Sequence, residues 1–448
     1  MTFPHIKWAP FDPSVDLYLY SRVNCMGCGS MVPLEYSGWH DEQMSWKESC
    51  YLHAGLNPAA TYRLQGPDAE RLLSSVSVNS FVGFPTGAMK HVVMCNDEGL
   101  VMAHGMALKM GEDDFLTYFL APYLDYMLRT GGHDAEGEYV TDQFLLQLGG
   151  PRSLEVLEAT TRECLHDLAF FRYRSSSIAG INVRVSRMGM AGTLAYEVHG
   201  LTRDAQVIYD AIVEAGRPFG LRKLGFLGYQ MNHTEDGFPQ GHVHFPFPWA
   251  DDPGFMSYLG IPAGAGGWNK LRGSMGENIK ARYRNPVELG WAKLIRFDHD
   301  FIGRGALEKE IADPRRQMVT LVWNADDVVD VYASQFRPGE PFAAMDPIHL
   351  SQEKGATVYY ADQVLKDGNL VGVSSGRAHS CFYRQMLSLC SIDLAFSEIG
   401  TEVEVLWGDP GTRQKRIRAT VSRFPYLDEG RNEDVDVGAI ACIAGSDG

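Results

Sequence analysis

Apolar and polar residues alternate with a period of two in several short segments of the chain, as expected for half-buried strands. Two of the clearest segments, residues 181–185 and 194–198, are separated by the small-residue stretch GMAGT. This pattern predicts two strands joined by a loop. Glu197 lies in the second strand, between Tyr196 and Val198. Its carboxylate must face solvent or accept hydrogen bonds inside the protein, because burying an unpaired charge is costly.

Segments with apolar residues at helical spacing alternate with the strands. The spacing predicts helices at residues 39–53, 68–76, 121–130, 152–160 and 202–216, and strands at residues 61–64, 115–120 and 143–148. A hairpin is predicted over residues 91–108, with its turn at the stretch NDEG. The sequences LQGPDAERLL and LGGPRSLEVL repeat the order strand, Gly-Pro turn and helix. This repeat suggests two similar α/β units in the first two-thirds of the chain.

The pattern changes in the second half of the chain. Residues 225–267 are rich in glycine, proline and aromatic residues, which predicts an irregular segment with a functional role. Residues 285–307 predict a strand, a turn and the start of a helix. From about residue 317, short strands with turn signals predict a separate β-barrel or sandwich-like domain, ending in an acidic tail poorly ordered at its end. We therefore expect two interleaved α/β lobes in residues 1–315 and a β-rich domain in residues 316–448.

Charge and composition limit the classes of partner. The net charge of −16 argues against a nucleic acid or an anionic membrane, because both require a basic face. The first residues lack the charged and apolar regions of a secretory signal, and no apolar run approaches the roughly 18 residues of a membrane span. We therefore expect a cytoplasmic protein with reduced thiols.

Metal binding is not expected from the sequence. Cys25 and Cys28 form a C-x-x-C motif, compatible with half a zinc site or a redox pair, but the other six of the eight cysteines are scattered. His233, His242 and His244 cluster in the sequence, yet no carboxylate or cysteine completes a recognisable ligand set. The sequence predicts no metal site.

Five longer motifs carry a resemblance to a known family: GMAGTLAYEVHG, YQMNHTEDG, FDHDFIGRGALE, VTLVWNADDVVDVYAS and GTEVEVLWGDPGTR. Over roughly residues 36–426 the chain resembles the tetrahydrofolate-binding aminomethyltransferase (glycine-cleavage T-protein) superfamily. Within it, the chain is most similar to the tetrahydrofolate-dependent aryl O-demethylases that act on vanillate, 3-O-methylgallate or syringate. The resemblance implies an α+β, three-lobed clover-leaf fold with a C-terminal β-barrel-like domain, and tetrahydrofolate in a central channel.

The resemblance also implies site residues. Glu197 matches the carboxylate that holds the pterin ring, and Gln147 matches a polar residue of the same channel. Phe238 stands where the demethylases have a tryptophan near the pterin, and Tyr118 is expected to contact the cofactor. Tyr229 coincides with a tyrosine that the demethylases use in catalysis.

The chain departs from the family at positions where its relatives bind their substrate. The paired aspartates of the aminomethyltransferases are absent, and His104 stands at or beside their position, which disfavours a substrate with a cationic amine. The arginine that binds the substrate carboxylate in the demethylases is replaced by Leu120, and a family histidine is replaced by Pro58. Leu120, Asn232 and His233 are therefore expected to contact a neutral aromatic ether.

The chemistry leaves alternatives open. Either Tyr229, whose phenol has an ordinary pKa of about 10, or His104 is expected to protonate the departing phenolic oxygen. A methoxy group would give methyl transfer, whereas a methylenedioxy-bridged lignan such as sesamin would give methylene transfer. A non-catalytic folate-binding protein is a further alternative, although the K-G-C-Y-x-G-Q-E motif of that branch is absent. The last alternative is an aminomethyltransferase that acts on an amine. The sequence does not indicate the oligomeric state.

Overall fold

The protein is described by a computed structural model of the 448-residue chain. The structure describes residues 4, 6, 8–25, 28–55, 60–190, 192–261, 269–353 and 356–444, without the side chains of residues 18, 21–25, 28–30, 269 and 352–353. Two positions singled out in the sequence therefore lie outside the described part of the chain, namely Pro58 and the side chains of the C-x-x-C motif at Cys25 and Cys28.

Helices and strands alternate through the first three-quarters of the chain. The helices of the described residues are α1 (Trp39–Glu48), α2 (Ala69–Val76), α3 (Tyr123–Gly131), α4 (Ser153–Thr161), α5 (Ala205–Gly216), α6 (Phe226–Glu235), α7 (Pro253–Tyr258), α8 (Arg304–Ala312) and α9 (Ala325–Ser334). The strands are β1 (Tyr20–Cys25), β2 (Cys28–Pro33), β3 (Cys50–His53), β4 (Thr61–Gln65), β5 (Met89–Cys95), β6 (Val101–Gly111), β7 (Asp114–Tyr118), β8 (Glu136–Tyr139), β9 (Gln143–Gly149), β10 (Tyr173–Ile178), β11 (Ile181–Ser186), β12 (Ala195–Leu201), β13 (Leu221–Lys223), β14 (Asn269–Arg272), β15 (Arg316–Trp323), β16 (Gln352–Glu353), β17 (Ala356–Tyr360), β18 (Asp362–Lys366), β19 (Asn369–Ser380), β20 (Gln385–Asp393), β21 (Glu402–Trp407) and β22 (Lys415–Ser422). None of these helices has the length and apolarity that crossing a bilayer requires.

The first lobe is built on a five-stranded antiparallel sheet in the order β5-β6-β7-β4-β8. The predicted hairpin is confirmed as β5 and β6, with His91 opposite Met106 in the register. Leu72 of α2, Leu124 of α3 and Phe255 of α7 belong to the apolar core on this sheet. These helices cover one face of the sheet. The polar side chains of β5 and β6 therefore lie on the opposite face.

The second lobe is built on a six-stranded sheet in the order β10-β11-β12-β9-β3-β13. In this sheet Glu197 of β12 lies opposite Gln147 of β9 and Ser186 of β11. Helices α4 and α5 cover the sheet through residues such as Leu157 and Ile208. Because β3 precedes the whole first lobe in the chain, the two lobes are interleaved. The order strand, turn and helix recurs in both, as β4–α2 and β9–α4.

The third lobe contains a closed six-stranded barrel, β15-β20-β19-β18-β21-β22, as the β-rich pattern predicts. After the barrel, the chain returns to the second lobe. Arg187 donates to the backbone carbonyls of Asn432 and Val435, and Val437 lies in the core of that lobe. The last four residues of the acidic tail lie outside the described part. The boundary near residue 315 stays a prediction, since residues 423–444 leave the barrel for the second lobe.

The helix predicted at residues 39–53 is wrong beyond Glu48. The chain turns at Ser49, with φ −139° and ψ −114°, and Cys50–His53 forms β3 inside the second sheet. All four residues of β3 are buried, and they pair with β9 and β13. Tertiary pairing with two neighbours outweighs the helical spacing that the local sequence shows.

Two further expectations are wrong in their details. Residues 226–235 form helix α6 rather than an irregular segment. The polar side chains of α6 find partners inside the protein, for example Thr234 with the carbonyl of Gly376, so local composition does not decide the conformation. Residues 285–307 contain a 3₁₀ turn at Ala292–Leu294 and the start of α8, but no strand.

Candidate active site

A cavity of about 330 Å³ lies between the first and second lobes, next to the segments before and after the barrel. Such a volume is within the usual range of small-molecule sites. The described residues that line it are His91, His104, Gly105, Met106, Tyr118, Phe119, Leu145, Phe170, Phe171, Met188, Gly189, Met190, Gly192, Glu197, Asp236, Gly237, Phe238, Gln240, Gly241, His242, Phe247, Leu289, Gly290, Trp291, Lys293, Leu294, Phe424, Pro425, Arg431, Asn432 and Glu433. A wider cleft of about 1050 Å³ lies at the barrel, and none of the predicted site residues lines it.

The cavity wall contains unusual backbone conformations. Among the described residues, seven that are not glycine have a positive φ, and three of them, Phe119, Phe171 and His242, line the cavity. Their φ values are 65°, 57° and 65°. Bulky residues rarely adopt this region, and such strain concentrates at functional sites. The strained positions therefore point to the same cavity as the sequence motifs.

A directed chain of hydrogen bonds leads to Glu197. Arg184 can only donate, and its Nη2 lies 2.7 Å from the hydroxyl oxygen of Tyr118. The hydroxyl hydrogen of Tyr118 is then directed to Nδ1 of His199, at 3.0 Å. His199 consequently carries its hydrogen on Nε2 and donates it to Oε2 of Glu197, at 3.1 Å. This chain of hydrogen bonds from Arg184 to Glu197, called the relay below, occupies one carboxylate oxygen of Glu197 and orients the other.

The second oxygen of Glu197 is available for a ligand. No described residue forms a hydrogen bond of normal geometry with Oε1, and Glu197 lines the cavity. Opposite it, Gln147 uses its Oε1 to accept from the hydroxyl of Tyr51, while its buried Nε2 has no partner of normal geometry. Burial raises the pKa of Glu197 to about 8, and the amide of Gln147 partly offsets this rise. A buried carboxyl with an unused oxygen fits a ligand that presents N–H donors.

The region around His104 is aromatic and uncharged. His104 has ring contacts with Phe238, Phe245, Phe247 and Trp291, at centroid distances from 4.9 to 6.0 Å. Burial lowers the pKa of His104 well below its usual value. It lowers the pKa values of His91 and His242 to about 4 as well. These three cavity histidines are therefore neutral at pH 7.

The hydrogen bonds of His104 determine its tautomer. The backbone N–H of Gly241 donates to Nε2 of His104 at 2.8 Å, so the neutral ring carries its hydrogen on Nδ1. That atom lies 3.3 Å from Nε2 of His91, which must accept. His91 therefore carries its own hydrogen on Nδ1. No described residue bonds to Nδ1 of His91, and the residue lines the cavity.

Tyr229 lies just behind the cavity wall. Nε2 of Gln240 approaches the oxygen of its hydroxyl at 3.1 Å, and Gln240 lines the cavity. The ring of Tyr229 stacks on His53 at 4.4 Å between centroids, with an interplanar angle of 6°. Tyr229 is thus held on α6, and its hydroxyl also lies 3.7 Å from the sulfur of Met190, which lines the cavity.

The predicted substrate residues are not on the cavity surface. His233 directs Nδ1 to the carbonyl of Tyr229 at 2.6 Å, and its Nε2 lies 3.2 Å from the sulfur of Met190, which lines the cavity. Asn232 is buried on α6 and has no hydrogen-bond partner for either side-chain atom among the described residues. Leu120 is packed in the core of the first lobe. Contact of these residues with substrate stays a prediction, and Leu120 is the least compatible with it.

Of the cofactor and catalytic residues predicted from the sequence, Glu197, Tyr118, Phe238 and His104 line the cavity, whereas Gln147 lies outside the lining, opposite Glu197 in the sheet. The predictions missed other residues of the site. Arg184, His199, His91 and Gln240 were not identified. For His199 a signal was available, since it lies two residues after Glu197 in a strand and therefore shares its face. For Gln240 and His91 no local signal exists, because their roles depend on contacts between lobes.

Comparisons with known proteins show which family the chain resembles. A family model described as the GCVT N-terminal domain matches residues 27–242. The chain is 47% identical to sesamin methylene transferase of Sinomonas sp., over 91% of this chain and 93% of that protein. It is 30% identical to syringate O-demethylase of Sphingobium sp., over 88% and 90% of the two chains. The crystal structure of the glycine cleavage system aminomethyltransferase T from Bartonella henselae matches the fold with a TM-score of 0.66, at 15% identity, over 92% and 95% of the chains.

Proposed function

The chain belongs to the aminomethyltransferase family that carries the GCVT N-terminal domain, and on this basis we propose that it transfers a one-carbon group from an aromatic ether to tetrahydrofolate. The observation that carries the proposal is the cavity between the lobes. It has an oriented carboxyl, Glu197, and an aromatic wall of neutral imidazoles. The product on the substrate side is a phenol or a catechol.

The residues around Glu197 fit the cofactor. The pyrimidine ring of a pterin presents adjacent N–H donors, and the unused Oε1 of Glu197 is an acceptor for them. The amide of Gln147 lies opposite Glu197 in the sheet and acts on its carboxyl from outside the cavity lining, so it supports Glu197 as the acceptor. When bound, tetrahydrofolate supplies the amine nitrogens that accept the one-carbon unit. Glu197, Gln147 and Tyr118, through the relay to His199, hold and orient it.

The ether region fits a neutral substrate. Among the described lining residues, the cationic side chains are Lys293, which is exposed, and Arg431, which donates to the carbonyls of Asp236 and Leu427. Neither is a buried cation set aside for a substrate carboxylate. A carboxylate in the aromatic region would lose its hydration without gaining a charge-assisted bond of about 1.5–3 kcal/mol. A methoxybenzoate is therefore a poorer substrate than an uncharged aryl ether.

Two donors are available for the departing oxygens. His91 offers Nδ1–H to the cavity from the first lobe, and Tyr229 offers its hydroxyl from α6 once Gln240 turns away. His104 acts through His91, because both of its nitrogens are already engaged. A methylenedioxy ring releases two phenolic oxygens, whereas a methoxy group releases one. The pair of donors, with the 47% identical relative, favours methylene transfer from a methylenedioxy-bridged lignan of the sesamin type.

Purified protein with tetrahydrofolate and three kinds of substrate tests the proposal. The panel contains sesamin, a neutral methoxyarene and the carboxylated syringate, and the released phenols are separated by chromatography. We expect catechol release from sesamin with formation of methylene-tetrahydrofolate, and slow or no turnover of syringate. If no aryl ether is converted in a folate-dependent reaction, the proposal is wrong. If the methoxyarene alone reacts, methyl transfer replaces methylene transfer.

A further inference from the structure

Four potential metal ligands from separate parts of the chain meet at the end of α4. They are Glu158 of α4, Cys164 and His166 of the following loop, and Cys442 of the C-terminal tail. One ligand atom from each lies within 4.8 Å of all the others. None of the four lines the cavity between the lobes, so they form a separate cluster.

Glu158 is the buried centre of this cluster. Its side chain is fully buried, and it accepts the backbone N–H groups of Leu165 at 2.8 Å and Ile443 at 3.1 Å. Among the described residues, no lysine or arginine forms an ion pair with it, and the basic group in contact with it is His166, at 3.2 Å. A buried carboxylate that lacks a cationic partner is costly. The bond from Ile443 also shows that the tail is docked directly against this carboxylate.

His166 provides the second observation. Its Nε2 lies 3.2 Å from Oε1 of Glu158 and is itself buried, yet it has no hydrogen bond of acceptable geometry among the described residues. The ring nitrogen therefore faces the cluster without a partner. Cys164 and Cys442 are free thiols with exposed side chains, so a metal ion can reach them from solvent.

We propose that Glu158, Cys164, His166 and Cys442 bind a thiophilic divalent cation of the zinc type. Two thiolates, one imidazole and one carboxylate form a ligand set that zinc accepts, whereas calcium and magnesium prefer oxygen ligands alone. In a tetrahedral zinc site, ligand atoms lie about 3.3–3.8 Å apart. The observed separations of up to 4.8 Å require only a small inward shift of the two exposed cysteine side chains.

The position of the site gives it a structural role. The ion would fasten Cys442 to the loop after α4. Between Cys442 and the barrel, the tail passes the cavity, which Arg431, Asn432 and Glu433 line. A bound ion therefore secures the segment that completes the cavity wall. The inference concerns metal binding, which is measured without turnover, so it stands or falls independently of the proposed enzymatic function.

Metal titration of the full-length, untagged and reduced chain tests the proposal. The protein is stripped with a chelator and titrated with Zn²⁺ against a chromophoric competitor, and with Co²⁺ as a spectroscopic probe of tetrahedral thiolate ligation. We expect one ion per chain. Cys164→Ser and Cys442→Ser should each weaken binding by at least about 100-fold, since losing even an outer-shell partner costs 10- to 100-fold. Both residues are exposed, so the variants should fold, and circular dichroism verifies this.

The C-x-x-C motif supplies the matched control. The double variant Cys25→Ser and Cys28→Ser should retain the tight site, while Cys442→Ser removes it. The proposal is overturned if the reduced wild-type chain binds no zinc, if Cys442→Ser binds it equally well, or if only the Cys25/Cys28 variant loses it. A Cys164–Cys442 disulfide in protein isolated from a reducing cytoplasm, with no metal, would overturn it as well.

Discussion

The backbone N–H of Gly241 donates to Nε2 of His104 at 2.8 Å, across the interface between the first lobe and the loop after α6. An amide N–H cannot accept, so this bond leaves His104 with its hydrogen on Nδ1 and directed at His91. The residue expected from sequence to be an acid is thereby occupied on both nitrogens. Of the two histidines, His91 is the one whose ring N–H no described residue accepts.

Substitution of His91 should slow catalysis without weakening cofactor binding. His91→Phe removes the Nδ1–H donor, and we expect kcat to fall by about 10²-fold or more, the usual contribution of a general acid. Asparagine places its amide near the position of Nδ1, whereas glutamine places it near Nε2. His91→Asn should therefore retain more activity than His91→Gln. Equal activity of the two variants, or a His91→Phe enzyme within about threefold of wild type, would contradict the assignment.

Tyr229→Phe should lower turnover by about 10²-fold if its hydroxyl donates to a departing oxygen. Gln240→Leu is the matched control, since it removes the amide contacts of the hydroxyl but leaves the hydroxyl and its contact with the sulfur of Met190 in place. We expect the Gln240 variant to lose much less activity. If both variants lose the same activity and the double variant loses no more, Tyr229 acts only by orienting Gln240. Single-turnover rates with sesamin separate these outcomes.

Folate affinity should depend on pH through Glu197. Burial raises its pKa to about 8, so at pH 7 the free protein holds this carboxyl mainly in the protonated form. Binding N–H donors favours the carboxylate, and the proton is released on binding. The affinity for tetrahydrofolate should therefore rise about tenfold per pH unit up to pH 8 and then level off. Calorimetry in buffers of different ionisation enthalpy measures the released proton.

The variant Glu197→Gln tests whether Glu197 causes the pH dependence of the folate affinity. The variant keeps an acceptor oxygen but loses the titrating group, so its folate affinity should be weaker and independent of pH between 6 and 8. A pH dependence that persists in this variant would assign the effect to another group. His91, with a pKa lowered to about 4, and His104 cannot supply it in this range because burial keeps them neutral.

His199→Phe should weaken tetrahydrofolate binding, because it removes the donor that orients Oε2 of Glu197. We expect a loss of about tenfold, corresponding to a hydrogen bond of roughly 1.4 kcal/mol. Tyr118→Phe interrupts the relay one step earlier and should cost less. Fluorescence titration with tetrahydrofolate gives both affinities. Unchanged affinity in His199→Phe would remove the relay from cofactor binding.

The sequence patterns correctly predicted those helices and strands in which the spacing of apolar residues matches the side of the element that is buried. The hairpin around NDEG and the strand that carries Glu197 are examples, since each alternates between a core face and a cavity face. The family motifs then connected Glu197, Gln147 and Phe238, which lie far apart in the chain. Glu197 and Phe238 line one cavity, and Gln147 lies opposite Glu197 in the sheet. This arrangement depends on the fold, which the resemblance implied and periodicity alone did not.

Other features depend on contacts that no local pattern records. Cys50–His53 continues the helical spacing of α1, yet it forms a strand because β9 and β13 are available on both sides. Helix α6 contains a glycine and several polar residues, and its burial between lobes stabilises it. The tautomer of His104 depends on Gly241, which is 137 positions away in the chain. Leu120 matches the position of the family's substrate arginine, but its burial in the core of the first lobe depends on contacts between elements that are distant in the chain.

The return of the chain to the second lobe after the barrel affects the order in which the protein folds. Arg431, Asn432 and Glu433 line the cavity, although β9 and β12 of the same lobe lie more than 200 residues earlier. Contacts of such large sequence separation cost loop-closure entropy before they contribute stability, so they form slowly. The two sheets and the barrel can therefore form before the cavity wall is complete. Capacity to hold a ligand between the lobes should be acquired late in folding.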